Sequence, residues 1–316
     1  MITYKHACPK DIPGIINFLK ENWRSNHIIT RRLDVFMHFY LEKNKNPNYF
    51  LAFNKEDKIV GTLGYITNKM FSGDVAGNGA WLSMWCVVSG LREPVGFNLL
   101  KTLEDKLNVD FISTLGAGYK TLPYYNKLGY VTGAAEHWKC NLKNNLTLDS
   151  NWLVSNNLSS KKIKNNSLGK NIEYLKNKFI KKSYYEYLAF SVFYNNELVT
   201  SIVGRIINCS VKKIKIFRVV DFTGDIDGIS ALARYLTNNK KYKHIDFVDI
   251  IVAFIGQSKN LSPVFNKSNE NDYLPLYFEP LIAEYKQKYF VYKANNSKFR
   301  KNLIVTGDCD QDRPSK

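Results

Sequence analysis

Apolar and polar positions along this chain alternate in two registers, one of period two and one of period three to four, and their order sets out the elements. Residues 2–4 predict a short first strand. Asp11 and Pro13 then open a helix through Leu19, with Asp11 placed to cap it and Ile15, Ile16, Phe18 and Leu19 as its apolar stripe. A second helix is predicted over 31–41, and 49–54 with 59–66 read as a hairpin around Lys55-Glu56-Asp57-Lys58. The stretch 81–107 is the centre of the pattern. It has an apolar run over 81–88, a break at Ser89-Gly90, and a helix in which Gly96, Leu99, Leu100, Leu103 and Leu107 share a face. Pro94 falls in the first turn of that helix, where a missing N–H costs little. Strand, tight loop and helix N-terminus present free backbone N–H groups to an anionic ligand. Residues 110–115 then predict a strand, 119–128 a short helix, and 130–142 a pair of closing strands.

From 143 to about 170 the chain turns rich in Asn, Ser and Lys, which reads as a linker with Trp152-Leu153-Val154 docking on a neighbour. A second α/β pattern follows. Residues 172–179 predict a helix, 188–194 and 198–207 a hairpin around Asn195-Asn196, 214–220 a strand, 229–236 a helix, 245–255 an apolar strand and 289–292 a late strand. The elements repeat in the order of the first half without sharing its residues. The expected organisation is therefore residues 1–142, a linker over 143–170, and 171–316.

Composition narrows the classes. At 316 residues, with 45% hydrophobic and 14% aromatic content, the chain has ample material for two packed cores. No apolar run reaches the roughly 18 residues of a membrane span, and the amino-terminal residues lack the apolar core of a signal peptide. Cys8, Cys86, Cys140, Cys209 and Cys309 are odd in number and scattered, which fits reduced thiols in the cytoplasm. The net charge of +17 is mostly dispersed lysine among plentiful Asn and Ile, as an AT-rich genome imposes. No helix-turn-helix, zinc finger or RNP-like run accompanies it, so a phosphate-bearing small ligand is expected rather than nucleic acid.

The run Tyr124-Tyr125-Asn126-Lys127-Leu128-Gly129-Tyr130, behind the unit at 81–107, resembles the GNAT superfamily of acyl-CoA-dependent N-acyltransferases over roughly the first 142 residues. By that resemblance the fold class is α/β (α+β): two GNAT-like domains in tandem, each a mixed, mostly antiparallel sheet flanked by helices. The resemblance implies coenzyme A, as acyl-CoA, bound along Cys86, Val87, Val88, Gly90, Leu91, Arg92, Glu93, Pro94, Val95, Gly96 and Phe97. The family's Gln/Arg-x-x-Gly-x-Gly/Ala motif is matched in part. Gly96 takes the last glycine, Pro94 the earlier one and Leu91 the Gln/Arg position, with Arg92 one place off. Loop amides, the helix N-terminus and the Arg92 charge still favour a pyrophosphate. The equivalent loop of the second half, residues 221–228, carries Asp221, Asp225 and Asp227, which repel one.

Tyr125 falls at the family's general-acid position, with plain core packing as the alternative and Tyr124 as a rival. For a general base, residues 81–88 contain no carboxylate, so Glu136 and His137 on the closing strands are the candidates. Cys86 lacks an indicated His partner and reads as a small core residue.

At the carboxyl end, Gly307-Asp308-Cys309-Asp310-Gln311-Asp312-Arg313-Pro314, with Tyr273-Leu274-Pro275-Leu276-Tyr277-Phe278-Glu279-Pro280 before it, resembles two-domain GNAT-type enzymes of bacterial surface-polysaccharide synthesis. That resemblance implies acetyl-CoA or 3-hydroxybutanoyl-CoA as donor and a dTDP-linked amino-dideoxy sugar as acceptor. It also implies Asp308, Asp310, Asp312 and Arg313 as substrate contacts on a tail that reaches the cleft between domains. The alternating aspartates lack the Gly and closing Glu of a calcium loop, so no metal is expected. No membrane and no nucleic-acid partner is expected, and a homodimer is the assembly carried forward. The competing readings are a GNAT enzyme acting on a peptide, aminoacyl or polyamine acceptor, and an inactive GNAT scaffold that binds nucleic acid.

Overall fold

The computed structural model describes residues 1–41, 46–73, 77–91, 93–144, 146–163, 169–182, 184–209, 213–256, 261, 263–268 and 287–312. The first half opens with β1 (Thr3–His6), α1 (Ile12–Asn22), α2 (Ile28–Arg31) and α3 (Leu33–Tyr40). Asp11 precedes α1 as expected, and Ile15, Phe18 and Leu19 are its buried face. Strands β2 (Tyr49–Phe53) and β3 (Ile59–Thr67) form the hairpin, α4 (Lys69–Ser72) follows, and β4 (Gly79–Val87) leads into α5 (Val95–Lys106). Pro94 stands at the N-cap of α5, one place before the first turn. Val95, Leu99, Leu100 and Leu103 bury its inner face. Then come β5 (Phe111–Ala117), α6 (Leu122–Lys127), β6 (Val131–Ala134) and β7 (Glu136–Asn141).

The second half contributes β8 (Trp152–Ser155), α7 (Ile172–Leu175), β9 (Leu188–Tyr194), β10 (Glu197–Cys209), β11 (Ile214–Gly224), α8 (Asp227–Asn238) and β12 (Phe247–Ile255). It ends with β13 (Asn266–Lys267), β14 (Tyr289–Ala294) and β15 (Asn302–Val305). Asn195 and Asn196, both with positive φ (47° and 64°), turn the β9–β10 hairpin as a two-residue connection requires.

Among the described residues these strands make two mixed sheets, in the expected fold class. The first runs β1-β2-β3-β4-β5-β14-β6, and the second β13-β7-β12-β11-β10-β9-β8 with β15 also paired to β12. Two strands have changed places relative to the sequence expectation. β7, read as closing the first sheet, pairs antiparallel with β12 in the second. β14, read as part of the second half, lies antiparallel between β5 and β6 in the first. The two closing strands expected over 130–142 thus belong to different sheets, because the single residue between them, Ala135, carries the chain across. β8 lies within the expected linker and pairs with β9 as an edge strand of the second sheet.

Candidate active site

In the first sheet β4 and β5 run parallel and are paired only at their starts, Gly79–Trp81 against Phe111–Ser113. Beyond that point they diverge. A bulge in β4 assists the divergence: Thr62 pairs with Cys86 and Gly64 with Ser83, so Leu63 faces both Met84 and Trp85, and Met84 takes φ +50°. A bulge of this kind bends its strand and increases the local twist. The opening becomes a cleft of about 460 Å³, walled by Leu82–Trp85 on one side and by Thr114 and 116–118 on the other, with Tyr125 between them.

The second sheet has the same divergence, since β11 and β12 are paired only over Ile216–Val219 and Phe247–Ile250. Here the opening is filled by the chain itself. Val252 of β12 pairs with Glu136 of β7 on one edge and with Val305 of β15 on the other, so β15 occupies the side on which β11 departs. The Gly307 N–H then donates to Val220 O of β11 at 2.8 Å. Glycine is required at 307, because a Cβ there would lie 2.6 Å from Asp221 Cβ.

From that seam the tail crosses to the first cleft. Leu115 N–H of β5 donates to Cys309 Sγ at 3.1 Å, and burial pushes the Cys309 thiol up to about 12, so it stays a neutral acceptor. Gly116, at φ +95°, brings its backbone so close to Gln311 that a Cβ would lie 3.0 Å from Oε1. Asp310 and Gln311 thereby form part of the cleft lining. Buried lysines hold the crossing in place. Lys170 Nζ donates to Asp221 Oδ1 at 2.6 Å and Asp308 Oδ1 at 2.7 Å, while Lys178 Nζ donates to the carbonyls of Gly307 and Asp308. Burial pushes the Lys178 ammonium down to about 8, and pushes the Asp308 carboxyl up against the pull of Lys170.

The cleft collects some of the expected residues and leaves others elsewhere. Tyr125 is 3% exposed, with its ring edge-on to Trp85 at 5.3 Å and Tyr130 at 5.2 Å. Burial raises the Tyr125 phenol well above its ordinary value, so it keeps its proton through neutral pH. Of the three tail aspartates, Asp310 alone lines the cleft. Asp308 is bound to Lys170, and Asp312 accepts from Arg205 Nε at 3.0 Å and Tyr187 OH at 2.6 Å. Arg313 and residues 273–280 lie outside the described residues.

Neither Glu136 nor His137 is among the cleft-lining residues. Both lie on β7, which the strand exchange has carried into the second sheet. His137 Nε2–H donates to Asp249 Oδ2 at 2.9 Å, and Arg218 holds the same carboxylate through Nε at 3.0 Å and Nη2 at 2.6 Å. Glu136 accepts from Trp138 Nε1 and from Lys267 Nζ.

Along the expected coenzyme strip, Cys86 is a buried thiol donating to Asn22 O, and burial raises it to about 11. Val88 N–H is engaged by Val60 O, which by strand alternation turns the Val87 N–H toward the open side. Gly90, at φ +82°, makes the turn, and Leu91 is exposed. Arg92 lies outside the described residues. Glu93 O accepts the Val95 N–H, leaving Gly96 and Phe97 in the first turn of α5. The Trp85 ring stands over this turn, 3.5 Å from where a Gly96 Cβ would be, and so joins it to the cleft. Its buried Nε1 has no partner among the described residues. An orphaned donor beside a helix N-terminus fits an oxygen-rich anionic ligand. Sequence reasoning missed Trp23, Arg24 and His27, which reach the cleft from the loop between α1 and α2, and Ser83 on β4. None of them belongs to a spaced motif.

No protein-family model matches the chain, and no curated protein matches it. Solved structures do. A GCN5-related N-acetyltransferase from Anabaena variabilis superposes with TM-score 0.60 at 11% identity, over 94% of this chain and 73% of that one. A probable N-acyltransferase of Enterococcus faecalis gives 0.58 at 10%, over 95% and 74%. Eis1 from Mycobacterium abscessus gives 0.50 at 10%, over 97% and 74%. The chain has a GCN5-related N-acetyltransferase fold. At these identities the likeness is one of fold alone, and it extends over both sheets of the GNAT-like pair rather than the first. No described helix is long and apolar enough to cross a membrane.

Proposed function

We propose that this protein is an N-acyltransferase that moves an acyl group from a coenzyme A thioester to the amino group of a nucleotide-linked amino-dideoxy sugar. The observation that carries the reading is the open cleft between β4 and β5, where a buried protonated Tyr125, the bulged strand and the tail carboxylate Asp310 converge. Coenzyme A fits the residues present. The Gly96 and Phe97 N–H groups at the start of α5, with Trp85 Nε1, would hold its phosphates, and Val87 N–H would lie along its arm. Bound there it supplies the activated acyl group. Tyr125 holds a proton for the departing sulfur, and the cleft walls orient the amine against the thioester.

The amino-sugar acceptor rests on the tail. Residues 307–312, part of the run that resembles the polysaccharide enzymes, bring Asp310 and Gln311 into the cleft, where the negative charge of a carboxylate favours an amine-bearing acceptor and an amide suits sugar hydroxyls. Trp23 adds an aromatic face and Arg24 a cation for the nucleotide diphosphate. The donor acyl group is assigned as acetyl or 3-hydroxybutanoyl on the same resemblance.

Thermal unfolding with coenzyme A, dTDP, UDP and a short DNA duplex tests the reading. A ligand at 100-fold its Kd adds about 2.7 kcal/mol to stability. Stabilisation by coenzyme A and by dTDP is expected. A response to UDP in place of dTDP would reassign the nucleotide, and a response to DNA alone would overturn the proposal.

A further inference from the structure

A hydrogen-bonded relay runs from the cleft wall into the tail. Tyr40, fully buried on α3, donates its hydroxyl proton to Asp310 Oδ2 at 2.7 Å. The same hydroxyl oxygen lies 2.8 Å from Ser83 Oγ. A carboxylate only accepts, so the single phenolic proton belongs to the Asp310 bond, and the Ser83 hydroxyl is the donor to Tyr40. The relay is thus polarised from Ser83 through Tyr40 to Asp310. Ser83 lines the cleft beside the bulge at Met84, and with its proton turned inward its lone pairs face an incoming N–H group. Asp310 Oδ1 accepts from Gln311 Nε2 at 3.1 Å, and the path through Tyr40 is a hydrogen-bonded route from the β4 wall to the other carboxylate oxygen.

We propose that Ser83, Tyr40 and Asp310 form a proton relay that deprotonates the acceptor amine, an inference that rests on the acyltransferase reading. As one ammonium N–H bond breaks, its proton passes to Ser83 Oγ, the Ser83 proton to Tyr40 Oη and the Tyr40 proton to Asp310 Oδ2. The nitrogen keeps the electron pair and forms the N–C bond to the acyl carbon as the C–S bond breaks. Tyr125 gives its proton to the departing sulfur and is restored by the second proton leaving nitrogen. Asp310 releases its proton to solvent. Ser83 touches the amine; Tyr40 and Asp310 act through it as positioning residues. The relay supplies the base that residues 81–88, which contain no carboxylate, lack.

Two small amines with acetyl-CoA as donor test the relay. Ethylamine is cationic at neutral pH and must lose a proton before attack, whereas hydroxylamine is already neutral. Tyr40→Phe, which keeps the packed ring, is expected to slow acetylation of ethylamine by about 10²-fold and to change that of hydroxylamine little. Ser83→Ala and Asp310→Asn should split the two amines in the same way, and Ser83→Thr, which keeps the hydroxyl, should retain activity toward both. Equal losses with both amines, or no loss, would overturn the relay and leave the acyltransferase reading standing. Failure of the wild-type protein to acylate these amines and a nucleotide-linked amino sugar alike, with either acyl donor, would overturn both.

Discussion

Tyr125→Phe is expected to lower kcat for acyl transfer by about 10²- to 10⁴-fold, the range for a positioned proton donor. The ring is buried against Trp85 and Tyr130, so phenylalanine preserves the packing and removes only the hydroxyl. Stability and coenzyme A binding should therefore change little. Because burial raises the phenol well above its ordinary value, the protonated form persists as pH rises, and the wild-type rate should show no alkaline fall from this group below about pH 10. Steady-state kinetics of the variant with a nucleotide amino sugar measures both. Unchanged kcat would return Tyr125 to the role of a core aromatic.

Asp249→Ala should be the most destabilising of the single substitutions considered. Asp249 is buried among β12 neighbours and receives two bonds from Arg218 and one from His137. Despite burial, the Arg218 guanidinium and the His137 bond hold its carboxyl below the usual range. Truncation strands a buried guanidinium whose Nη1 already has no partner among the described residues, at a cost of about 3–5 kcal/mol. Against a typical total of about 5–15 kcal/mol that is a large share. Urea unfolding reports it directly, and Asp249→Asn, which keeps a hydrogen-bond acceptor, should lose less. The same geometry predicts that His137→Asn lowers stability rather than kcat. A selective loss of kcat would place His137 in the chemistry instead.

The strand–loop–helix unit over 79–106, the two hairpins and the order of elements were legible because each is fixed by local periodicity and turn residues. The sheet that a strand joins is not local information. β7 and β14 are both short segments with antiparallel neighbours, and nothing in their six residues distinguishes the partners they exchange. His137 therefore looked free for catalysis, although its partner Asp249 lies 112 positions away. The tail departs from its alternating pattern for a different reason. Asp308, Asp310 and Asp312 alternate as if on a strand, but 306–312 is a succession of turns, so the carboxylates diverge to Lys170, Tyr40 and Arg205. The place of Tyr125 in the cleft lining agrees with its position before Gly129. Ser83 and Tyr40 were not legible, since their link to each other and to Asp310 exists only after folding.

The two halves differ in one physical respect that governs the account: β15 fills the opening between β11 and β12, while the opening between β4 and β5 stays accessible above the tail. The sequence expectation that the second half excludes coenzyme A rested on its acidic loop; the inserted strand adds a steric reason. Titration calorimetry with coenzyme A tests this most directly. One site per chain is expected, lost in Gly96→Asp, which places a carboxylate in the first turn of α5, and retained in Asp227→Lys at the start of α8. No binding, two sites per chain, or a site that survives Gly96→Asp would contradict it.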